Sequence, residues 1–392
     1  MTAPVALNSG VSSEPPISKP RDLTADIAKG LLILLVVYGH AIEIYSQGFV
    51  FRFIYLFHMS VFFILSGVFF GEKYVKSTSS FFELVKKRVK SLLVPYLFFN
   101  VVFLLLHNFF LDTHLLPSSS AFFEHLDTTV MLNEVIPRFD CATTAKHLLW
   151  AVLLAKEQFF VGTTWFLKAL FFISVCYAGG RLIVRRFAPA RFEFPITAAV
   201  CLLCLCAGYF AGLADFSFYK IGTMLSCVFL FAFGNFLSVF KIRLPRGFWA
   251  GLISFCALVF ITVCNPKFFY ISRNFYNNPF WLAAASFFGY IFVMSAGGFL
   301  AKFKITATVF SFLGRHTVSI LCLHLLSFKV FTLLEVLYLN RPIFMLEAYE
   351  TLYTNYFLAF GYVLVGTLIP VAFSQIYAGL KKRCGQFGRF LP

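Results

Sequence analysis

Ten apolar runs, each about as long as a bilayer is thick, dominate this chain. A helix needs about 20 predominantly apolar residues to cross the hydrocarbon. Such runs occupy 27–45, 51–71, 92–111, 163–183, 196–214, 218–239, 247–264, 280–300, 307–329 and 354–377. Of the 392 residues, 60% are hydrophobic and 13% charged, and 56 are Phe. A soluble domain carries about 25% charged residues, and a soluble fold of this length lacks the interior for so much apolar surface. The expected fold is therefore all-α: a polytopic membrane protein with about ten transmembrane helices.

The connections between the runs alternate in charge. One set holds Lys19 and Arg21, then Lys73, Lys76, Lys86, Lys87, Arg88 and Lys90, then Arg185, Arg186 and Arg191. It continues with Lys241, Arg243 and Arg246, then Lys302 and Lys304, and ends with Lys381, Lys382, Arg383 and Arg389. The other set holds few cations: Arg138, Lys146 and Lys156 in one long segment, then Lys267 and Arg273, then Arg341. By the positive-inside rule both termini are cytoplasmic. The formal charge of +16 is thus mostly a topology signal, with anionic membrane lipids as its ordinary partners. Its distribution argues against nucleic acid as a partner.

Residues 1–20 are polar and lack the apolar core of a cleavable signal peptide, so a disordered cytoplasmic tail is expected there. The transmembrane domain is expected over 21–380, with a basic cytoplasmic tail over 381–392. Cys176, Cys201, Cys204, Cys206, Cys227, Cys256 and Cys322 lie inside apolar runs, where Cys behaves as a small apolar residue. Cys201, Cys204 and Cys206 have no nearby His and sit among Leu and Ala. No metal site is expected from them. No phosphate-cradling Gly-rich loop, HExxH or GxSxG pattern occurs. The segment 112–162 holds several acids, with His107, His114, His125 and His147 in or near it. Its apolar pieces, such as His147 to Val161, are interrupted by charge and read as interfacial or re-entrant helices.

Ionisable residues at membrane depth are costly and face a polar cavity or a partner. His40 and His58 sit in the first two runs and His324 in the ninth. Counted from the expected topology, all three fall in the outer half, with Trp165 at the outer end of the fourth run. A lone histidine there is most simply a satisfied interhelical hydrogen bond; three at one level point to a shared polar cavity. Lys29 and His40 are eleven residues apart, which puts them about 20° apart around a helix and about 16 Å apart along it. One face of the first helix thus carries a cation near the cytoplasm and an imidazole nearer the outside. A plainer role for Lys29 is an interfacial pair with Asp26. Gly314 to Thr317 opens the ninth run near the cytoplasm, with Arg315 at the interface.

Several blocks resemble the membrane acyltransferase-3 family. They are Asp26-Ile27-Ala28-Lys29-Gly30, Val36-Val37-Tyr38-Gly39-His40, and Phe57-His58-Met59-Ser60 through Ser66-Gly67. Weaker matches follow in order: Lys87-Arg88 with Leu92-Leu93-Val94-Pro95-Tyr96, Trp165-Phe166-Leu167, and Leu313-Gly314-Arg315 through His324. The branch most similar is that of fucose 4-O-acetylase-like and exopolysaccharide O-acetyltransferases. Lys29 stands where the family usually has Arg, and Ser60 where it usually has Pro.

The resemblance implies ten core helices, cytoplasmic termini and a bacterial inner-membrane location. It implies transfer of an acyl group, usually acetyl, from cytoplasmic acyl-CoA as co-substrate to a hydroxyl of an exported or cell-surface glycan. No bound cofactor is expected. On this reading Asp26, Lys29, Arg88 and Arg315 form the donor site. His40 is the general base or acyl carrier; apart from the resemblance, the spacing of Glu43, one turn from His40, fits it to orient the imidazole. His58, Trp165 and His324 line the acceptor side. A transporter or flippase for a lipid-linked sugar or small solute, or a structural partner in polysaccharide assembly, are the alternatives; the first would neither bind nor hydrolyse acetyl-CoA, and the second would be unaffected by loss of His40.

Overall fold

The computed structural model describes residues 22–43, 48–118, 135–216, 218–265, 269–352 and 355–387. The expected tail 1–20 and His125 lie outside the described residues, as does the end of the expected tail 381–392. Helix continues into that last segment, as far as Phe387.

Helices make up the described chain, and among the described residues nine are long and apolar enough to cross a membrane. Phe248–Cys264, with 17 residues, is a shorter apolar one. Together they correspond to the ten expected spans. In chain order the helices are α1 Leu23–Ala41, α2 Phe49–Tyr55, α3 His58–Val68, α4 Thr78–Arg88, α5 Val94–Leu105, α6 His107–Asp112 and α7 Cys141–Val152. There follow α8 Trp165–Phe187, α9 Glu193–Leu213, α10 Ile221–Val239, α11 Phe248–Cys264, α12 Pro279–Leu300, α13 Lys304–Arg315, α14 Thr317–Tyr338 and α15 Ala359–Phe387.

Local sequence sets several starts. Asp22 caps α1 by accepting from the Ala25 N–H at 3.1 Å. Asn278 does the same for α12 through Trp281, with Pro279 in the first turn. Two of the expected spans are broken where hydropathy continues, and in both cases a histidine at the break bonds its ring back to the carbonyl four residues earlier. His58 Nδ1 donates to Ile54 O at 2.8 Å and separates α2 from α3. His316 Nδ1 donates to Phe312 O at 2.8 Å and separates α13 from α14. The expected ninth span, 307–329, is thus corrected: α14 is the crossing helix and α13 is a separate piece ending at Arg315. The third span also starts earlier than expected, since helix runs from Thr78 to Leu105.

Without a hydrophobic drive between helices in lipid, close backbone packing and polar contacts hold such bundles. Gly30 on α1 and Gly314 on α13 face each other so closely that an added Cβ would lie 1.9 Å from Phe310 O or 2.0 Å from Asp26 O, respectively. Gly67 on α3 and Gly234 on α10 form a second pair of this kind. Arg181, buried in α8, donates to Glu193 on α9, to Glu72 at 2.6 Å and to Asn235 on α10 at 3.0 Å. Tyr177 OH also donates to Asn235, at 2.7 Å. The ends that the charge pattern assigns to one side therefore meet in space. Leu is expected to be excluded at position 314. Gly314→Leu should lower thermal stability in detergent or abolish folding, at a cost of roughly 1–3 kcal/mol or more. Gly298→Ala, with nothing within 4 Å of the new Cβ, should leave the melting temperature unchanged.

Candidate active site

The far end of α1 from Asp26 opens into a cavity of about 280 Å³. His40 stands on its wall. Its Nδ1 lies 2.9 Å from Glu43 Oε2 and 3.0 Å from both carboxylate oxygens of Glu350. Carboxylates accept, so Nδ1 carries a proton. Among the described residues Nε2 has no hydrogen-bond partner. Glu43 is itself held, its Oε1 accepting from Tyr270 OH at 3.0 Å. Burial, and then the Glu43 carboxylate, push Glu350 above the usual carboxylate range. The two carboxyls readily hold one proton between them and leave one negative charge facing the imidazole.

Glu350 lies 310 positions from His40 and reaches it because its loop is pinned. Lys329, buried in α14, donates to Leu346 O at 2.8 Å and Ala348 O at 2.7 Å. Glu347, fully buried, accepts from His114 Nδ1 at 2.8 Å and Ser118 Oγ at 2.9 Å. Tyr349 packs on Phe159, with ring centroids 4.4 Å apart. Two buried groups thus fix the loop just before the residue that delivers the second carboxylate.

A second cavity, of about 220 Å³, lies toward the basic end and is lined by Lys29, Ser66, Tyr74, Lys87 and Arg88 among others. Lys29 also pairs with Asp26 at 3.5 Å and sits over the Phe69 ring at 5.0 Å. The plain interfacial pair therefore forms, and the same ammonium still lines the cavity. Lys87 Nζ donates to Tyr74 OH at 3.3 Å. Cations from α1 and α4 thus converge on one cavity.

The family model described as an acyltransferase domain, that of acyltransferase-3, matches residues 23–377. The chain belongs to the acyltransferase-3 family. No curated protein and no solved structure matches it significantly. It is a multi-pass membrane acyltransferase.

In this acyltransferase the structure brings His40, Glu43, His58 and Trp165 to one cavity. Lys29 and Arg88 meet in the other. Arg315 does not join them: it is exposed at the end of α13, over the Phe312 ring at 6.0 Å. His324 is not on the cavity wall either. Its Nδ1 bonds back to Ile320 O at 2.9 Å, which lays the ring along α14 and behind His40, with centroids 5.3 Å apart. Its Nε2 is buried without a partner among the described residues. Sequence reasoning missed Glu350, Tyr270 and Lys329. Tyr270 and Glu350 lie in connections, where polar residues are ordinary. The buried Lys329 inside a crossing helix was the one available signal.

His40 Nδ1 and the two carboxylates lie within 4.8 Å of one another, close enough for one cation to take an atom from each. The same atoms satisfy one another by hydrogen bonding, and that arrangement explains the geometry without an ion. Glu43→Gln and Glu350→Gln are each expected to lower the turnover of acyl transfer roughly 10- to 100-fold, and the pair together by more than about 10³. Assays in membranes at matched expression check this, and full activity of the double variant would remove both carboxylates from the mechanism.

Proposed function

We propose that this protein transfers an acetyl group from cytoplasmic acetyl-CoA to a hydroxyl of an exported or cell-surface glycan, in a bacterial inner membrane. The branch of the family it would join is that of fucose 4-O-acetylase-like and exopolysaccharide O-acetyltransferases. The observation that carries this reading is His40: one ring nitrogen is held by two carboxylates and the other has no partner, in a cavity large enough for part of a sugar.

The acyl-CoA phosphates would rest on Lys29, Lys87 and Arg88, whose charge suits phosphate oxygens. The pantetheine arm would run along the stripe of α1 from Lys29 to His40, about 16 Å by helix rise. His40 Nε2 takes the proton of the acceptor hydroxyl as its oxygen attacks the thioester carbonyl. The C–S bond breaks, and the proton passes from the imidazolium to the departing thiolate. Ester and free CoA result. Glu43 and Glu350 hold the tautomer and stabilise the imidazolium that forms in between, as an orienting carboxylate does in other His-based sites. Asp26, about 21 Å below His40 by helix rise, belongs to the donor end, where it orders Lys29. His58 and Trp165 shape the acceptor side.

His40→Ala is expected to lower acetyl transfer more than about 10³-fold at normal expression. Unchanged transfer would sink the assignment. Lys29→Ala and Arg88→Ala should instead raise the KM for acetyl-CoA about tenfold each, and KM values that stay put would separate these cations from the donor. Mass analysis of surface glycan from a deletion strain should show the loss of an acetyl mass.

A further inference from the structure

The wall of the His40 cavity away from α1 carries two cations. Lys220 and Arg273 both line it. Neither has a carboxylate partner among the described residues. Lys220 Nζ donates to Ser272 O at 2.8 Å and stands 5.8 Å from the Trp165 ring. Arg273 is exposed, its guanidinium 5.2 Å over the Tyr270 ring. The acids nearby are engaged elsewhere. Glu157 pairs with Lys168 at 2.5 Å and receives Tyr96 OH at 3.5 Å. Glu43 and Glu350 are taken up by His40, and Glu43 by Tyr270 as well.

Both cations are held in place by backbone that is built for the purpose. Tyr219 and Lys220 adopt left-handed backbone, with φ of 52° and 59°, directly before α10. Side chains other than Gly avoid that region, and its use marks positions the surroundings over-determine, which cluster at functional sites. The turn bearing Arg273 is closed by paired backbone bonds between Tyr270 and Phe275, at 2.7 and 3.1 Å. It is anchored by Asn274 Nδ2 to Gly208 O at 2.6 Å and by Ser226 Oγ to Asn274 Oδ1 at 3.2 Å. The same turn presents Tyr270 to Glu43, so the cations and the catalytic histidine are registered by one rigid element.

Two like charges facing one cavity repel, and cations near apolar surroundings are costly. A polar substrate with no charge would offset neither. We infer that Lys220 and Arg273 receive an oxyanion of the acceptor glycan, either the carboxylate of an acidic sugar or a phosphate on the glycan or its carrier. This rests on reading the His40 cavity as the acceptor site. Arg273 supplies a planar fork that fits either oxyanion bidentately, and Lys220 a point charge beside it. Binding there leaves the sugar ring between the two cations and His40, so the anion selects which hydroxyl meets Nε2. It also draws acidic glycan to the cavity mouth.

The test uses glycan from a strain lacking this protein, divided into three preparations: untreated, carboxyl-reduced to the alcohol, and stripped of phosphate with hydrofluoric acid. Membranes holding the full-length protein and labelled acetyl-CoA are presented with each. One treatment should lower kcat/KM at least about tenfold, the loss expected when a charge-assisted contact disappears, and which treatment does so names the anion. Arg273→Gln and Lys220→Gln should each raise the KM for untreated glycan about tenfold and abolish discrimination between preparations, and Arg273→Lys should recover part of it. The KM for acetyl-CoA, held within about twofold, serves as the folding control. Equal transfer to all three preparations, or glutamine variants with an unchanged glycan KM, overturns the anion inference alone. No transfer by the wild-type protein to any preparation overturns the acceptor-site reading and this inference with it.

Discussion

A histidine among apolar helices must have its ring nitrogens satisfied or put to use, and at His40 this requirement organises the molecule. One nitrogen is met by carboxylates from two distant stretches, Glu43 just beyond α1 and Glu350 in the loop after α14. To bring them there, α1 must stand with its far end beside α14. The glycine contact of Gly30 with α13 permits that approach, and His316 lets the chain turn from α13 into α14. The loop must then be fixed to a fraction of an ångström, because a hydrogen bond weakens steeply with distance and angle. Lys329 and Glu347 do this from inside the protein, where water cannot compete for them.

The membrane-spanning architecture could be read from the chain because hydropathy over about 20 residues is a local property. So could the pairing of Lys29 with His40 on one face, which follows from helix phase alone, and the proximity of Glu43. The interruptions at His58 and His316 could not. Each breaks the helix within a run whose apolar content does not change. His324 shows the converse error: its depth and neighbourhood were inferred correctly enough to bring it to His40, but a bond to its own helix turns the ring behind the cavity. Glu350 had no local mark at all. An acid in a polar connection is unremarkable until the fold sets it against a histidine from the other end of the chain. Arg315 failed for a similar reason, since a cation at a helix end points wherever packing leaves room.

Charge is divided unequally between the two cavities. The basic one gathers side chains from α1 and α4 near the end rich in Lys and Arg, where long-range attraction to an anion is strongest. The other keeps its negative charge deep, against His40, and its positive charge at the rim. Two helices, α1 and α3, each line both cavities, so motion of either would be felt at both.

The separation in sequence of His40 and Glu350 also bears on biosynthesis. Domains and helices emerge from the ribosome in order, and His40 is inserted with the first helix. Until α14 and the loop behind it have been made, its Nδ1 has Glu43 alone, and the cavity lacks the wall that Tyr349 and Glu350 provide. A nascent or truncated chain therefore lacks half of the carboxylate pair that holds His40. Whatever chemistry His40 performs can therefore begin only once the last loop of the protein is in place.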